Sequence, residues 1–361
     1  MTALHQVLPG YARWDAIGSH ALRLQSLLRS SGIDSDVFAH HTENAPGPWR
    51  SAKEMNSRPG ERTVFMYHLS TGSRLAEQLL QRPEPLVVDY HNVTPHELFG
   101  RWEPTIGPEL ALGRRQLELL APRADLAIAD SAFNAAECRE AGYQAAAVAP
   151  ILLDIKALTG EVDESALVRL QDRRAVDGGA DWLFVSRIAP HKAQHDVLAA
   201  FAAYKRAYDP HARLTFIGGS SSAAYLDTLE LTIRSLGLER DVFLLGSVSD
   251  GERNAHFAAA DAFVCLSDHE GFGVPLLEAM AHGLPVVAYA VAAVPEIVAG
   301  AGVLLPRKEP GTVAAAVHRV VSDPALSARL RAAGAARVEH FSLKRTEQLM
   351  LDALAPILDG A

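Results

Sequence analysis

The chain has 361 residues, 48% hydrophobic and 21% charged, with a formal net charge of −9. That apolar content excludes a disordered chain, the length suits two domains with a core each, and the acidic balance disfavours nucleic acid as a partner. The two cysteines, Cys138 and Cys265, stand in apolar sequence without metal-ligand spacing and read as reduced core residues. No signal-peptide pattern opens the sequence, and the longest apolar run, 284–294, holds a proline and is shorter than the ~20 residues that span a bilayer. The expectation is a cytoplasmic protein with at most peripheral membrane contact.

Strand and helix patterns alternate in two series, the mark of parallel α/β sheets. Leu4–Leu8 reads as a first strand, followed by a loop holding Gly10 and Gly18 and a helix over Ser19–Ser30. Val37–Ala39, Thr63–Tyr67, Leu86–Tyr90 and Leu126–Ala129 read as further strands, the last leading into a helix capped by Ser131. The second series starts at Asp181–Ser186, continues through Arg187–Lys192 into a helix over Ala193–Tyr208, and has later strands at Leu214–Gly218, Val242–Leu244, Ala262–Leu266 and Val286–Ala288. The organisation expected is an N-terminal domain over 1–155, an interdomain segment over 156–180, and a C-terminal domain over 181–340. A helix over 341–361 would then cross back to the first domain. Open parallel sheets bind ligands beyond the carboxyl ends of their strands, so two doubly wound domains predict a site in a central cleft that both face.

The run Ser267–Pro285 carries the chemistry. It begins where the Ala262–Leu266 strand ends. Gly271 and Gly273 let backbone approach a ligand closely, and Pro275 suits a first helical turn. The amides of Phe272, Gly273 and Val274 at a helix start then suit a phosphate. Glu270 and Glu278, eight residues apart, place a carboxylate on each side of these amides. Carboxylates accept hydrogen bonds from sugar hydroxyls, so the pattern fits a diphosphate flanked by a ribose and a hexose.

Glu-Gly-Phe-Gly with a second glutamate, followed by Ala-Met-Ala-x-Gly-x-Pro-Val, resembles the signature of retaining GT-B glycosyltransferases of family GT4 (glycosyl transferases group 1). Phe184–Lys192 resembles that family's arginine–lysine loop, and Ile217-Gly218-Gly219 and Phe243–Val248 resemble two further landmarks. The likeness covers 181–341 closely and the N-terminal half more loosely. One departure is Ala193, where a glycine often follows the lysine.

The resemblance implies two Rossmann-like domains and a hexosyl transfer from a nucleotide sugar with retention, through a front-face mechanism needing no metal or other cofactor. Arg187 and Lys192 would hold the donor diphosphate and stabilise the leaving group. Glu270 would bind the donor sugar, Glu278 the ribose, and backbone at Ser247 and Val248 the base. His91, after the Leu86–Tyr90 strand, would meet the sugar or leaving phosphate as a fourth catalytic residue. Gly18 would bring backbone to the donor. Asp15, His68 and Asn92 are the acceptor-side candidates, and Arg114, Arg115 and Arg123 offer charge for an anionic acceptor. GDP-mannose is the donor favoured by family frequency, and the acceptor is a glycan, a lipid-linked glycan or a small molecule.

The same motifs would serve a sugar phosphorylase or a non-catalytic nucleotide-sugar-binding protein. A dinucleotide oxidoreductase lacks its G-x-G-x-x-G after the first strand. Asp34-Ser35-Asp36 fits the D-x-D of metal-dependent transferases but precedes a strand, and His191 and His195 lack a third ligand.

Overall fold

The computed structural model describes residues 2–359 except 13–15, 46, 58–59, 61 and 101. The chain divides into two compact units. The first takes the chain up to Glu97, Pro104–Leu153 and Phe341 onward; the second takes Leu98–Glu103 and Asp154–His340.

The first unit holds a seven-stranded, wholly parallel sheet built from β1 (Thr2–Ala12), β2 (Val37–Glu43), β3 (Arg50–Ser51), β4 (Arg62–Leu69), β5 (Leu86–Tyr90), β6 (Leu126–Ala129) and β7 (Ala146–Val148), in the order β3-β2-β1-β4-β5-β6-β7. Its central strands are covered on both faces, which is why β5 and β6 read as unbroken apolar runs with one aspartate between them. The helix Ala16–Ser30 starts three residues earlier than its apolar spacing suggests, so Gly18 sits inside its first turn. A Cβ on Gly18 would overlap the Ala12 carbonyl, so only glycine lets this helix begin so close to the strand it follows. Ser131 caps Ala132–Glu140, its hydroxyl accepting from the Asn134 amide at 3.1 Å. The helix Leu343–Leu358 buries Met350 and Leu354 against Leu4, Leu28, Val64 and Ile128 of this unit.

The second unit repeats the plan with six parallel strands: β8 (Asp181–Val185), β9 (Arg213–Ile217), β10 (Val242–Leu244), β11 (Ala262–Cys265), β12 (Val286–Tyr289) and β13 (Gly302–Leu305), ordered β10-β9-β8-β11-β12-β13. Phe184 meets Phe216 and Phe263 edge-on in its core. In both sheets the connections leave in opposite directions from one central strand pair, β1/β4 in the first and β8/β11 in the second. These are the switch points where a crevice opens above the carboxyl ends.

Residues 156–180 do not form a free interdomain segment. They belong to the second unit, most of them in the helices Ile155–Leu158 and Glu164–Asp177, and Asn254 donates to the Leu158 and Glu161 carbonyls at 2.9 and 2.7 Å. Their high charge reflects a solvated helix face.

Candidate functional site

The second unit's switch point brings together the two loops that carry the sequence motifs. After β8 the chain runs through Ser186 and Arg187 into a short 3-10 turn, Pro190–Lys192. The loop is tied to the one after β9: the Ile188 amide donates to the Gly219 carbonyl at 2.9 Å, and the Ser221 amide to the Ile188 carbonyl at 3.1 Å. Gly218 is left-handed at φ 142°, and a Cβ there would overlap the Ser186 carbonyl. Gln194 pins the Arg187 backbone by donating to its carbonyl at 2.9 Å. The Arg187 side chain itself is exposed.

After β11 the second loop docks on the first, the Asp268 amide donating to the His191 carbonyl at 2.8 Å. Glu270 lies buried and receives the Lys192 ammonium at 2.7 Å on Oε2, the two side chains 8% and 16% exposed. Gly273, left-handed at φ 93°, caps the helix Val274–Ala281, with Pro275 in its first turn. Lys308, 40 residues downstream of Asp268, ties the second loop to the helix Gln194–Ala207 that follows the first. Its ammonium reaches Asp268 and Asp196 at 2.5 Å each and the Leu266 carbonyl at 3.3 Å. Burial works against that charge, yet the two carboxylates outweigh it and raise the lysine's pKa.

Glu278 is buried on the same helix, with Arg253 Nη2 at 3.4 Å. Burial pushes this carboxyl above its ordinary range, Arg253 opposing and Asp250 adding to the shift. Arg253 rides on the helix Asp250–Ala259, which Ser249 caps directly after Ser247 and Val248. Ser247 is exposed and Val248 half-buried, the former close enough to Gly219 that a Cβ there would meet its hydroxyl at 3.1 Å. His191 is buried against Phe99 with ring centroids 4.9 Å apart. Burial, then the charges of Lys192, Arg187 and His269, depress its pKa well below the ordinary value. Both the burial and the neighbouring cations disfavour the charged imidazolium.

The first unit places His91 just past β5 and His68 within β4, but not as ligand-facing groups. The His91 side chain is 2% exposed, and both ring nitrogens are engaged, Nδ1 with Asp130 at 3.0 Å and Nε2 with His68 at 2.9 Å. A direct bond from its ring to a sugar requires one of those nitrogens to be released. His68, expected on the acceptor side, is fully buried and bonded to Gln6 and His91, with no ring nitrogen left for an acceptor. The Asn92 amide is likewise committed within the unit, donating to Asn134 and Glu137 at 2.8 Å each. Asp15 lies outside the described residues. Asp34-Ser35-Asp36 stands at the amino ends of the strands, where Asp36 pairs with Arg29 and Arg50 at 3.4 and 3.1 Å and Ser35 is buried. That is the end of the sheet opposite the ligand crevice.

Residues 171–337 match the family described as Glycosyl transferases group 1. The matched stretch lies within the second unit. Among curated relatives, a D-inositol 3-phosphate glycosyltransferase of Kineococcus radiotolerans is 34% identical over 185 residues, covering 47% of this chain and 42% of that one. A GDP-mannose-dependent alpha-(1-6)-phosphatidylinositol monomannoside mannosyltransferase of Mycolicibacterium smegmatis is 29% identical over 208 residues, 55% and 52% of the two chains. The chain thus matches about half the length of these relatives. The solved structure of Anabaena Alr3699/HepE in complex with UDP-glucose is similar with a TM-score of 0.75 at 20% identity, covering 98% of this chain and 99% of that one. At that identity the likeness is one of fold, and it places the chain in the two-domain α/β GT-B class. The second unit brings Arg187, Lys192, Glu270, Gly271, Phe272, Gly273, Val274 and Glu278 to one switch point. Arg253 and Lys308 join them there, and neither stands in a motif that announces it. No helix among the described residues is long and apolar enough to cross a membrane.

Proposed function

We propose that the protein transfers a hexosyl group, mannose being the favoured sugar, from a nucleoside diphosphate sugar to an acceptor hydroxyl with retention of configuration. The observation that carries this reading is the meeting of the Arg187–Lys192 loop and the Glu270–Glu278 loop-helix at the β8/β11 switch point, joined by the 2.7 Å Lys192–Glu270 pair. One loop offers cations for a diphosphate, and the other offers carboxylates for the hydroxyls on either side of it. The names of the curated relatives, several of them mannosyltransferases, support the choice of sugar.

In this reading Lys192 and Arg187 take up the charge that grows on the leaving diphosphate, aided by the start of the helix Val274–Ala281. Glu270 holds donor-sugar hydroxyls and Glu278 the ribose. The bond from the anomeric carbon to the diphosphate breaks and the bond to the acceptor oxygen forms on the same face. The acceptor's proton passes to the departing phosphate oxygen. Arg187, Lys192 and the helix amides supply the positive field for the diphosphate, so this reading calls for no metal or other cofactor. The acceptor is a glycan, a lipid-linked glycan or a small molecule.

The test is to offer GDP-mannose, UDP-glucose and dTDP-glucose with an acceptor panel and follow nucleoside diphosphate release and product anomeric configuration by NMR. Transfer with the donor's anomeric configuration kept, in the presence of a chelator, is the expected result. An inverted product, or activity abolished by the chelator, overturns the mechanism.

A further inference from the structure

The first unit buries a chain of polar side chains between β1, β4, β5 and the segment after β6. The side chains of His20, His68 and Asp89 are 0% exposed, His91 2% and Asp130 3%, so their protons are held by protein partners rather than by bulk water. Their hydrogen-bond partners fix where each proton lies.

Gln6 Nε2 donates to the Ala21 carbonyl at 2.9 Å, which turns Gln6 Oε1 toward His68 Nε2 at 3.0 Å. An amide oxygen only accepts, so His68 Nε2 carries a proton. His91 Nδ1 faces Asp130 Oδ2 at 3.0 Å and carries the proton of that bond. The remaining nitrogens, His68 Nδ1 and His91 Nε2, face each other at 2.9 Å. The two rings lie within 3° of parallel with centroids 5.2 Å apart, a separation that sets these nitrogens on the line joining the centroids. Two bare lone pairs would repel there, whereas one proton makes a straight N–H···N bond. The two imidazoles therefore hold three protons, one more than two neutral rings.

We infer that His68 and His91 share one proton and form a single buried cation, and that His68, backed by Gln6, is a positioning residue that holds the His91 ring in one orientation at the end of β5. The bearing of this on transfer rests on the glycosyltransferase reading above; the proton count does not. Asp89 Oδ2 supplies the counter-charge, 3.2 Å from His68 Nδ1 and 3.4 Å from His91 Nε2. It also receives His20 Nε2–H at 3.0 Å, since His20 Nδ1 accepts from the Leu152 amide at 2.9 Å. Burial, against the pull of Asp89, pushes His68 down to about 4. Burial also opposes the charge on His91, yet Asp89 and Asp130 raise it well above the ordinary value, so the extra proton resides mainly there. The neighbouring Cys138 thiol, pushed up to about 12 by burial, stays neutral.

The ligand atoms of His20, His68, Asp89 and His91 lie within 4.8 Å of one another, a spacing that also suits a metal ion. Their directions favour the proton. The His68 and His91 lone pairs point at each other rather than at a third point, and His20 must keep its proton on the nitrogen that would ligate.

The experiment is long-range proton–nitrogen NMR on the full chain labelled at histidine nitrogens, with His68→Gln and His91→Gln assigning the signals. At neutral pH the expected pattern is three ring protons across the two residues, and Asp130→Asn moves loss of the third proton to a pH at least one unit lower. Two protons, one per ring, overturn the inference, as does a titration unmoved by Asp130→Asn. Activity then tests the positioning role. His68→Gln, which keeps an acceptor for His91, retains at least tenfold more turnover than His68→Leu, and the alkaline limb of turnover shifts acid-ward in Asp130→Asn. Equal loss in both His68 variants with an unmoved limb refutes positioning. The NMR readout needs no substrate, so a chain inactive on every nucleotide sugar would refute the proposed function and leave the proton count standing or falling by itself.

Discussion

Lys192 is neutralised by Glu270, 2.7 Å away and more deeply buried, and this makes an unusual prediction about nucleoside diphosphate binding. Lys192→Met removes a charge-assisted bond to the phosphate worth roughly 1.5–3 kcal/mol. It also strands the Glu270 carboxylate beside an incoming dianion. Like charges ~5 Å apart at an effective dielectric of ~20 repel by about 3 kcal/mol. The single variant should therefore bind GDP or UDP roughly a thousand- to ten-thousandfold more weakly, since every ~1.4 kcal/mol is a factor of ten. Lys192→Met/Glu270→Gln removes the repulsion and should recover about 100-fold of that loss. Glu270→Gln alone, which frees the lysine, should bind as well as the parent or better. Isothermal titration calorimetry with the bare nucleoside diphosphate reads this directly, because no sugar is present for Glu270 to hold. A double variant that binds no better than Lys192→Met refutes the idea that the two groups share one phosphate-facing pocket.

Burial raises the Glu278 pKa, so its folded state holds a proton more tightly than its unfolded state, and its contribution to stability falls as pH rises through that raised value. Glu278→Gln should leave neutral-pH thermal stability unchanged or higher while weakening nucleotide binding about tenfold, as the loss of one charged hydrogen bond allows; lower stability contradicts the assignment. Ala193 is held left-handed at φ 51°, so Ala193→Gly should raise the melting temperature of the second unit by about 2–4 °C, the equivalent of relieving roughly 1 kcal/mol. An unchanged or lower melting point would show that the strain is not there. Stability against pH should peak around the ordinary histidine value of 6.5. His91, raised, contributes stability that is full below that value and is lost as pH climbs through its folded pKa; His68, lowered to about 4, costs stability as pH falls from 6.5 toward 4. Denaturant midpoints across pH check this, and an alkaline decline that persists in His91→Gln refutes it.

The second unit was legible because its chemistry is local. Each motif sits on one strand end, and a glycine or proline marks where the chain must turn toward a ligand. Even the departure at Ala193 shows in the structure as a left-handed alanine where glycine would be unstrained. The short strands β3, β7 and β13 lack a sequence pattern because edge strands of two to four residues bury too little to need one. Lys308 and Arg253 act across 40 and 25 residues of chain, on Asp268 and Glu278, and only the fold brings them there. In the first unit, the rule that a polar residue near a strand's carboxyl end faces a ligand misplaced His68. Its partners, Gln6 on β1 and Asp89 on β5, look like interruptions of apolar strands until the sheet order sets them side by side.

The central claim is that the β8/β11 switch point is a nucleoside diphosphate site, and a thermal-shift panel of GDP, UDP, dTDP, ADP and orthophosphate on the parent chain and on Glu278→Ala tests it. A ligand at 100 times its dissociation constant adds about 2.7 kcal/mol to the stability of the unit that binds it. The account predicts that one nucleoside diphosphate gives a clear shift and that Glu278→Ala diminishes it. A shift with orthophosphate and none with any nucleotide would contradict it.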